Sequence, residues 1–200
     1  MAFTTNETTV MELAIAAYGR VLAQTGLDHY AGLLTAGTLT EDQIRDEFMS
    51  NTEATVRYPD GQDDDTTVTT VFNNVLGRTP AQTGIDFYAA KLADGTLTLN
   101  SLVDAILTDA RTNDGDDKAR LDNVISAADN YLVHADADLA APTLSNIDHT
   151  EATLTAENTV VDDAKTAKDS AANGSTYTLT SGADTIVGSA FDDTITANLG

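Results

Sequence analysis

Cysteine is absent from this chain, which removes disulfides, thiolate metal sites and a cysteine nucleophile from consideration. Basic residues are scarce: 10 lysines and arginines face 32 aspartates and glutamates, for a formal charge of -22. Such a surface repels DNA, RNA and anionic lipid unless cations intervene, so nucleic acid is not expected as a partner. The same charge opposes compaction by self-repulsion, which salt screens and bound divalent cations neutralise. A saline or calcium-containing compartment is therefore expected. No apolar run reaches the length of a membrane span, and Met1 to Glu7 has neither a basic n-region nor an apolar h-region. Any export signal is expected elsewhere, and the repeat pattern still running at Gly200 implies further chain. G-x-S-x-G, P-loop and H-E-x-x-H motifs are missing, and His29, His134 and His149 are too scattered for a metal spacing. No enzyme active site is expected.

What is present is repetition. Hydrophobic residues make up 42% of the 200 positions, enough for one ordinary core or two small ones. The segment Gln24 to Thr40 returns as Gln82 to Thr98, an offset of 58 residues. Upstream, Ala14, Ala17, Tyr18, Val21 and Leu22 match Val68, Val71, Phe72, Val75 and Leu76 in the spacing of a core-facing helix. On that alignment the second copy inserts Gly77 to Pro80 between its first two helices. The second helices carry Leu27, Tyr30, Ala31 and Leu34, and Ile85, Tyr88, Ala89 and Leu92. Gly37 and Gly95 follow where a helix end calls for a left-handed residue. Third helices carry Ile44 and Phe48, and Leu102, Ile106 and Ala110. Thr9 with Glu12, and Thr40 with Gln43, have capping-box spacing.

The expected fold class is mainly α: a helical repeat bundle over residues 1–172, with three-helix copies at about 10–58 and 66–112. An amphipathic helix over Lys118 to about Ala135 follows. Ile147, Leu154 and Val161 at sevenfold spacing then give the stretch Ile147 to Lys168 a narrow seam for a neighbouring helix. From residue 173 the composition changes to Thr, Gly, Asp and β-branched residues, marking a second region, 173–200.

Two acidic loops, Asp60 to Asp65 and Asn113 to Asp117, follow the third helices. Oxygen donors around a glycine turn suit a hard cation, with Asp60, Asp63, Asp65, Asp114 and Asp116 as candidate ligands. Neither loop has a glutamate at its twelfth position, and both equally read as solvated connections that cap the next helix. Thr-Gly-x-Asp, at Thr25 and Thr83, reads as a turn before an acidic first turn. Tyr58 alone among Tyr18, Tyr30, Tyr58 and Tyr88 lies off the core stripes, which makes it the candidate for stacking on a sugar face.

In the tail, Asp-Thr-Ile occurs at Asp184 and again nine residues on at Asp193, with glycines at 182, 188 and 200. These residues resemble the RTX calcium-binding β-roll repeat, Gly-Gly-x-Gly-x-Asp-x-apolar-x. That resemblance implies calcium as cofactor, Asp184 and Asp193 as ligands with Asp192 as a further candidate, and Ile186 and Ile195 pointing inward. Phe191, Thr180 and Ser189 stand at consensus glycine positions. The bland alternative is an edge strand with solvated aspartates. Separately, Phe72 to Thr96, with its Val-Leu-Gly-Arg-x-Pro and Gly-Ile-Asp-Phe-Tyr, resembles a helical domain-of-unknown-function family that recurs in RTX proteins exported by type I secretion, over roughly residues 10–112. Copy one lacks its Gly-Arg-x-Pro. The order of the two regions is similar to that of Gram-negative surface-layer (S-layer) proteins. This implies a secreted, extracellular structural protein at the cell surface that self-assembles into a lattice. Its helical domain would bind lipopolysaccharide or surface polysaccharide with calcium. The alternative is the leading module of a type I-secreted RTX enzyme or adhesin.

Overall fold

Short polar side chains set where the helices begin. In the computed structural model, which describes residues 2–134, 139, 141–172, 176–179 and 194–197, the first helix, α1 (Thr5–Tyr18), opens on a capping box. Thr4 Oγ1 accepts from the Glu7 amide at 3.3 Å and Glu7 Oε2 accepts from the Thr4 amide at 2.7 Å. The box therefore sits five residues upstream of the Thr9–Glu12 pair that the spacing suggested. Both residues of that pair fall inside the helix, where the amides already have backbone partners. The expected box at Thr40 and Gln43 does open α3 (Glu41–Met49), and its counterpart at Thr98 and Ser101 opens α7 (Leu99–Thr112). Caps of this kind contribute about 0.5–2 kcal/mol each.

Between them lie α2 (Gln24–Thr35), α4 (Thr52–Arg57), α5 (Asp64–Leu76) and α6 (Gln82–Ala93), and α8 (Asp116–His134) follows. The 58-residue offset holds without an insertion. α1 ends at Tyr18 and α5 at Leu76, each on a glycine in the left-handed region, Gly19 at φ 69° and Gly77 at φ 63°. Val21 and Leu22 consequently lie beyond α1 and not on its stripe. The first copy does carry the Gly-Arg pair, as Gly19-Arg20, and lacks only the proline. The first copy also gains a fourth helix, α4, and the second runs into α8, the helix expected over Lys118 to about Ala135. Arg20 grips Glu53 of α4 with two hydrogen bonds of 2.7 and 2.8 Å, and Arg78 grips Asp117 of α8 with two of 2.6 and 2.5 Å.

α1 is the central element. From Val10 to Ala17 every residue except Glu12 is buried, the signature of a helix enclosed on all sides and not of a half-exposed one. It packs on α2, α3 and α4 of its own copy and on α5 and α8 of the other. Glu12 pairs with Arg111 of α7, which also binds Asp122 at 2.5 Å. Arg45 of α3, 9% exposed, gathers Asp42 and Asp46 and reaches Asp104 of α7 at 3.9 Å. The two copies are thus joined by a shared apolar core and by arginines that bridge carboxylates from different helices. Ile44, Phe48, Leu102 and Ile106 are within 2% of full burial, at about 1.5–3 kcal/mol for each such side chain.

The last helix, α9 (Glu151–Ala172), lies along α8, and Ile147, Leu154 and Val161 are all buried. A 3-10 turn, Leu144–Asn146, precedes it. Beyond α9 the described residues hold two short parallel strands, β1 (Thr176–Leu179) and β2 (Thr194–Ala197), in register Thr176↔Thr194 through Leu179↔Ala197. Ile195, expected to point inward, is 56% exposed.

Candidate functional site

Tyr30 and Tyr88, 58 residues apart, occupy equivalent places on α2 and α6 and do the same work. Each hydroxyl donates to a carboxylate of the following helix, Tyr30 to Glu47 at 2.5 Å and Tyr88 to Asp109. Burial, reinforced by those bonds, pushes the Tyr30 phenol up to about 12 and raises that of Tyr88 as well. Tyr30 packs edge-on against Phe48 at 4.7 Å between centroids, and Tyr88 packs against Phe72 at 5.9 Å.

At the second copy this arrangement floors a cavity of about 520 Å³, within the range of small-molecule sites. Phe72, Leu76, Tyr88 and Ile106 form its apolar base, and the acidic loop after α7 forms its lip with Asp114, Asp116 and Asp117. Arg78 stands at one wall, its guanidinium 5.2 Å from the Phe72 ring centroid and clamped to Asp117. The Asp117 hydrogen bonds raise the Arg78 pKa, with burial opposing them. An apolar floor with carboxylates at the rim suits a sugar, whose ring face is apolar and whose hydroxyls donate to carboxylate oxygens.

The acidic residues picked out by the loop pattern have separate fates. Asp114 and Asp116 line this cavity; Asp114 makes no ion pair among the described residues, and Asp116 lies 4.0 Å from His149. Asp63 is the N-cap of α5, accepting from the Thr66 amide and hydroxyl at 2.9 Å each, bonds that lower its pKa. Asp65 sits in the first turn of the same helix and Asp60 in the exposed loop before it. In that first loop Asp63 takes the capping role that the second reading gave it. Among the described residues no three acidic or histidine side chains converge as a metal-binding group. Asp184, Asp192 and Asp193, with Ile186, lie outside the described residues.

Tyr58 is not a free aromatic. It is 4% exposed, and its hydroxyl donates to the Ala16 carbonyl at 2.7 Å; burial pushes its pKa to about 12. Its ring forms the seat of α4 on α1, so no sugar face can reach it. The Thr-Gly-x-Asp segments are likewise helix and not turn: α2 and α6 start at Gln24 and Gln82, whose side-chain amides donate to Asp28 and Asp86 one turn on, at 2.7 and 2.8 Å. What the sequence reading missed is Phe72 and Tyr88 as a cavity floor. Their stripe positions signalled core, and only the open edge beside the Asn113–Asp117 loop turns that core surface into a site.

Residues 45–110 match the family model of a domain of unknown function, DUF4214. The match runs from within α3 through α7, so it takes in the end of one copy and most of the next. No curated protein and no solved structure matches the chain.

Proposed function

We propose that this chain is a non-enzymatic cell-surface module of an S-layer protein. Its helical region binds lipopolysaccharide with calcium as the bridging ion, and the stretch from residue 173 on begins an RTX-type calcium-binding β-roll. The observation that carries the reading is the pairing of β1 with β2. They run parallel at an offset of 18 residues, twice the nine-residue spacing of Asp184 and Asp193. A coil that spends two nine-residue repeats on each full turn sets strands parallel and in that register. The intervening segment, residues 180–193, meets the dozen or so residues that a parallel connection requires.

The helical region's share of the work rests on the cavity beside α6 and α7. An anionic surface glycan and a chain of charge -22 repel one another unless a cation lies between them. Asp114 and Asp116 supply hard oxygen donors at the cavity lip. Two carboxylates are fewer than the about six to eight oxygens that Ca²⁺ takes, so glycan and water oxygens complete the set. When bound, the ion supplies charge cancellation and a shared coordination sphere; Phe72 and Tyr88, 7% and 6% exposed, close the cavity beneath the glycan with only their edges.

Cosedimentation of the purified chain with rough and with smooth lipopolysaccharide, each with calcium or with a chelator, tests the proposal. Calcium-dependent retention that falls in the Asp114→Asn/Asp116→Asn double variant is the expected result. Equal retention with calcium and with chelator would remove calcium bridging from the account. No retention on either form would remove the anchoring role.

A further inference from the structure

In a chain with so many carboxylates, two arginines pair with none of those among the described residues. Among the described residues, Arg20, Arg45, Arg78 and Arg111 all sit within 4.0 Å of an acidic side chain, whereas Arg57 and Arg120 form no ion pair. Both line the same cavity of about 280 Å³, with Gly19, Gly77, Asn73 and Ser145. Arg120 is 8% exposed, and burial lowers its pKa, as expected for a cation removed from water without a counter-charge. Its Nη1 donates to the Val75 carbonyl at 2.9 Å and its Nη2 to the Leu144 carbonyl at 3.4 Å. The Arg57 Nε is buried with no hydrogen-bond partner, although buried donors are almost always satisfied.

The glycines explain how the guanidiniums come so close. A Cβ built on Gly77 would meet Arg120 at 2.6 Å, and one on Gly19 would overlap the Arg57 guanidinium outright. Each arginine therefore lies flat on the bare end of a first helix, α1 or α5. Those C-terminal ends each carry about half a negative charge, which leaves about one of the two positive charges uncompensated. The nearby carboxylates act on these two arginines only through space. Glu53 near Arg57, and Asp117 near Arg120, are each clamped by another arginine, Arg20 and Arg78. Asp148, which also acts on Arg120 through space, is fully exposed and turned to Thr150 and Thr153.

We infer that the cavity between the ends of α1 and α5 is an oxyanion site that takes a phosphate group, with Arg57 and Arg120 as its cationic donors. A guanidinium presents parallel N–H groups matched to phosphate oxygens. The Asn73 amide adds a neutral donor, as its Oδ1 already accepts from Thr79 at 3.5 Å. The phosphate has two chemical sources, free inorganic phosphate and a phosphate ester on a surface glycolipid. The assignment does not depend on the calcium-bridged sugar site at the other cavity.

Titration calorimetry with inorganic phosphate at constant ionic strength, against a chloride control, tests the site. Saturable phosphate binding is expected for the full chain, weakened about tenfold or more in Arg57→Met and unchanged in Lys91→Gln, whose ammonium lies over the Phe87 ring on α6 and does not line the cavity. Asn73→Ala, which touches no core contact, should weaken it less and serves as the check if Arg57→Met fails to fold. Phosphorylated lipid A vesicles that displace the phosphate, where dephosphorylated ones do not, identify the ester as a ligand of the site; failure to displace it assigns the site to free phosphate. Absence of saturable binding at millimolar phosphate, or binding undiminished in both Arg57→Met and Asn73→Ala, would overturn the assignment.

Discussion

At the scale of single residues, the side chains that decide stability are those that close contacts between distant parts of the chain. Tyr58 reaches back 42 residues to the Ala16 carbonyl, so Tyr58→Phe leaves a buried acceptor without a donor. That substitution should lower the unfolding free energy by about 1–3 kcal/mol, measurable by urea titration, and leave lipopolysaccharide binding intact. Gly19 and Gly37 provide an internal comparison. Both have positive φ, but a Cβ on Gly37 meets open space while one on Gly19 meets Arg57. Each alanine variant bears a conformational cost of about 1–2 kcal/mol, and Gly19→Ala must also displace a buried guanidinium. Its melting temperature should fall further than that of Gly37→Ala, and equal losses would contradict the stacked arrangement. Tyr58 was illegible in the sequence for a physical reason: α4 has six residues, too few to display a period, and its burial comes from a partner outside any local window. The stripes of α3 and α7 were legible because each repeats over two or more turns.

At the scale of elements, the repeat declared the helices and the glycines fixed their phase. The 58-residue offset runs unbroken from Gly19 and Gly77 through Thr40 and Thr98. The apparent insertion came from matching hydrophobic stripes four residues out of step, a shift of about one helical turn that preserves the pattern and loses the ends. α8 was legible from its stripe, and begins at Asp116, two residues before the start that the sequence suggested, whereas α4 was too short to declare itself. The turn that leads into α9 shows how a bonded carboxylate responds to pH. Asp148 accepts from the Thr150 amide and hydroxyl and from the Thr153 hydroxyl at 2.6–2.9 Å, and these bonds bring its pKa down to about 2. A folded-state pKa below the ordinary value of about 3.9 means that the contribution is present above pH 4 and is lost as pH falls toward 2. Asp148→Ala should therefore be less stable than the parent at pH 6, with the gap narrowing between pH 4 and pH 2 in denaturant titrations. A gap that widens on acidification would refute this role for Asp148.

Over the whole molecule, the balance is between a continuous helical core and a charge of -22. The core spans both copies through α1, so the helical bundle through α8 should unfold in one cooperative step. The six arginines are placed where they bridge helices or cover helix ends, which leaves most carboxylates to solvent and to cations. The main charge balance was plain from composition, and calcium as its remedy was an expectation drawn from the tail's nine-residue period. Where on the surface a cation and a glycan meet was not legible, because the cavity at Phe72 and Tyr88 depends on how α5, α6 and α7 splay. The most direct test is to raise free calcium stepwise at fixed ionic strength and record the affinity of the chain for immobilised lipopolysaccharide by surface plasmon resonance. The account predicts a saturable rise in affinity that magnesium at equal concentration does not reproduce. An affinity that stays flat as calcium rises would contradict it.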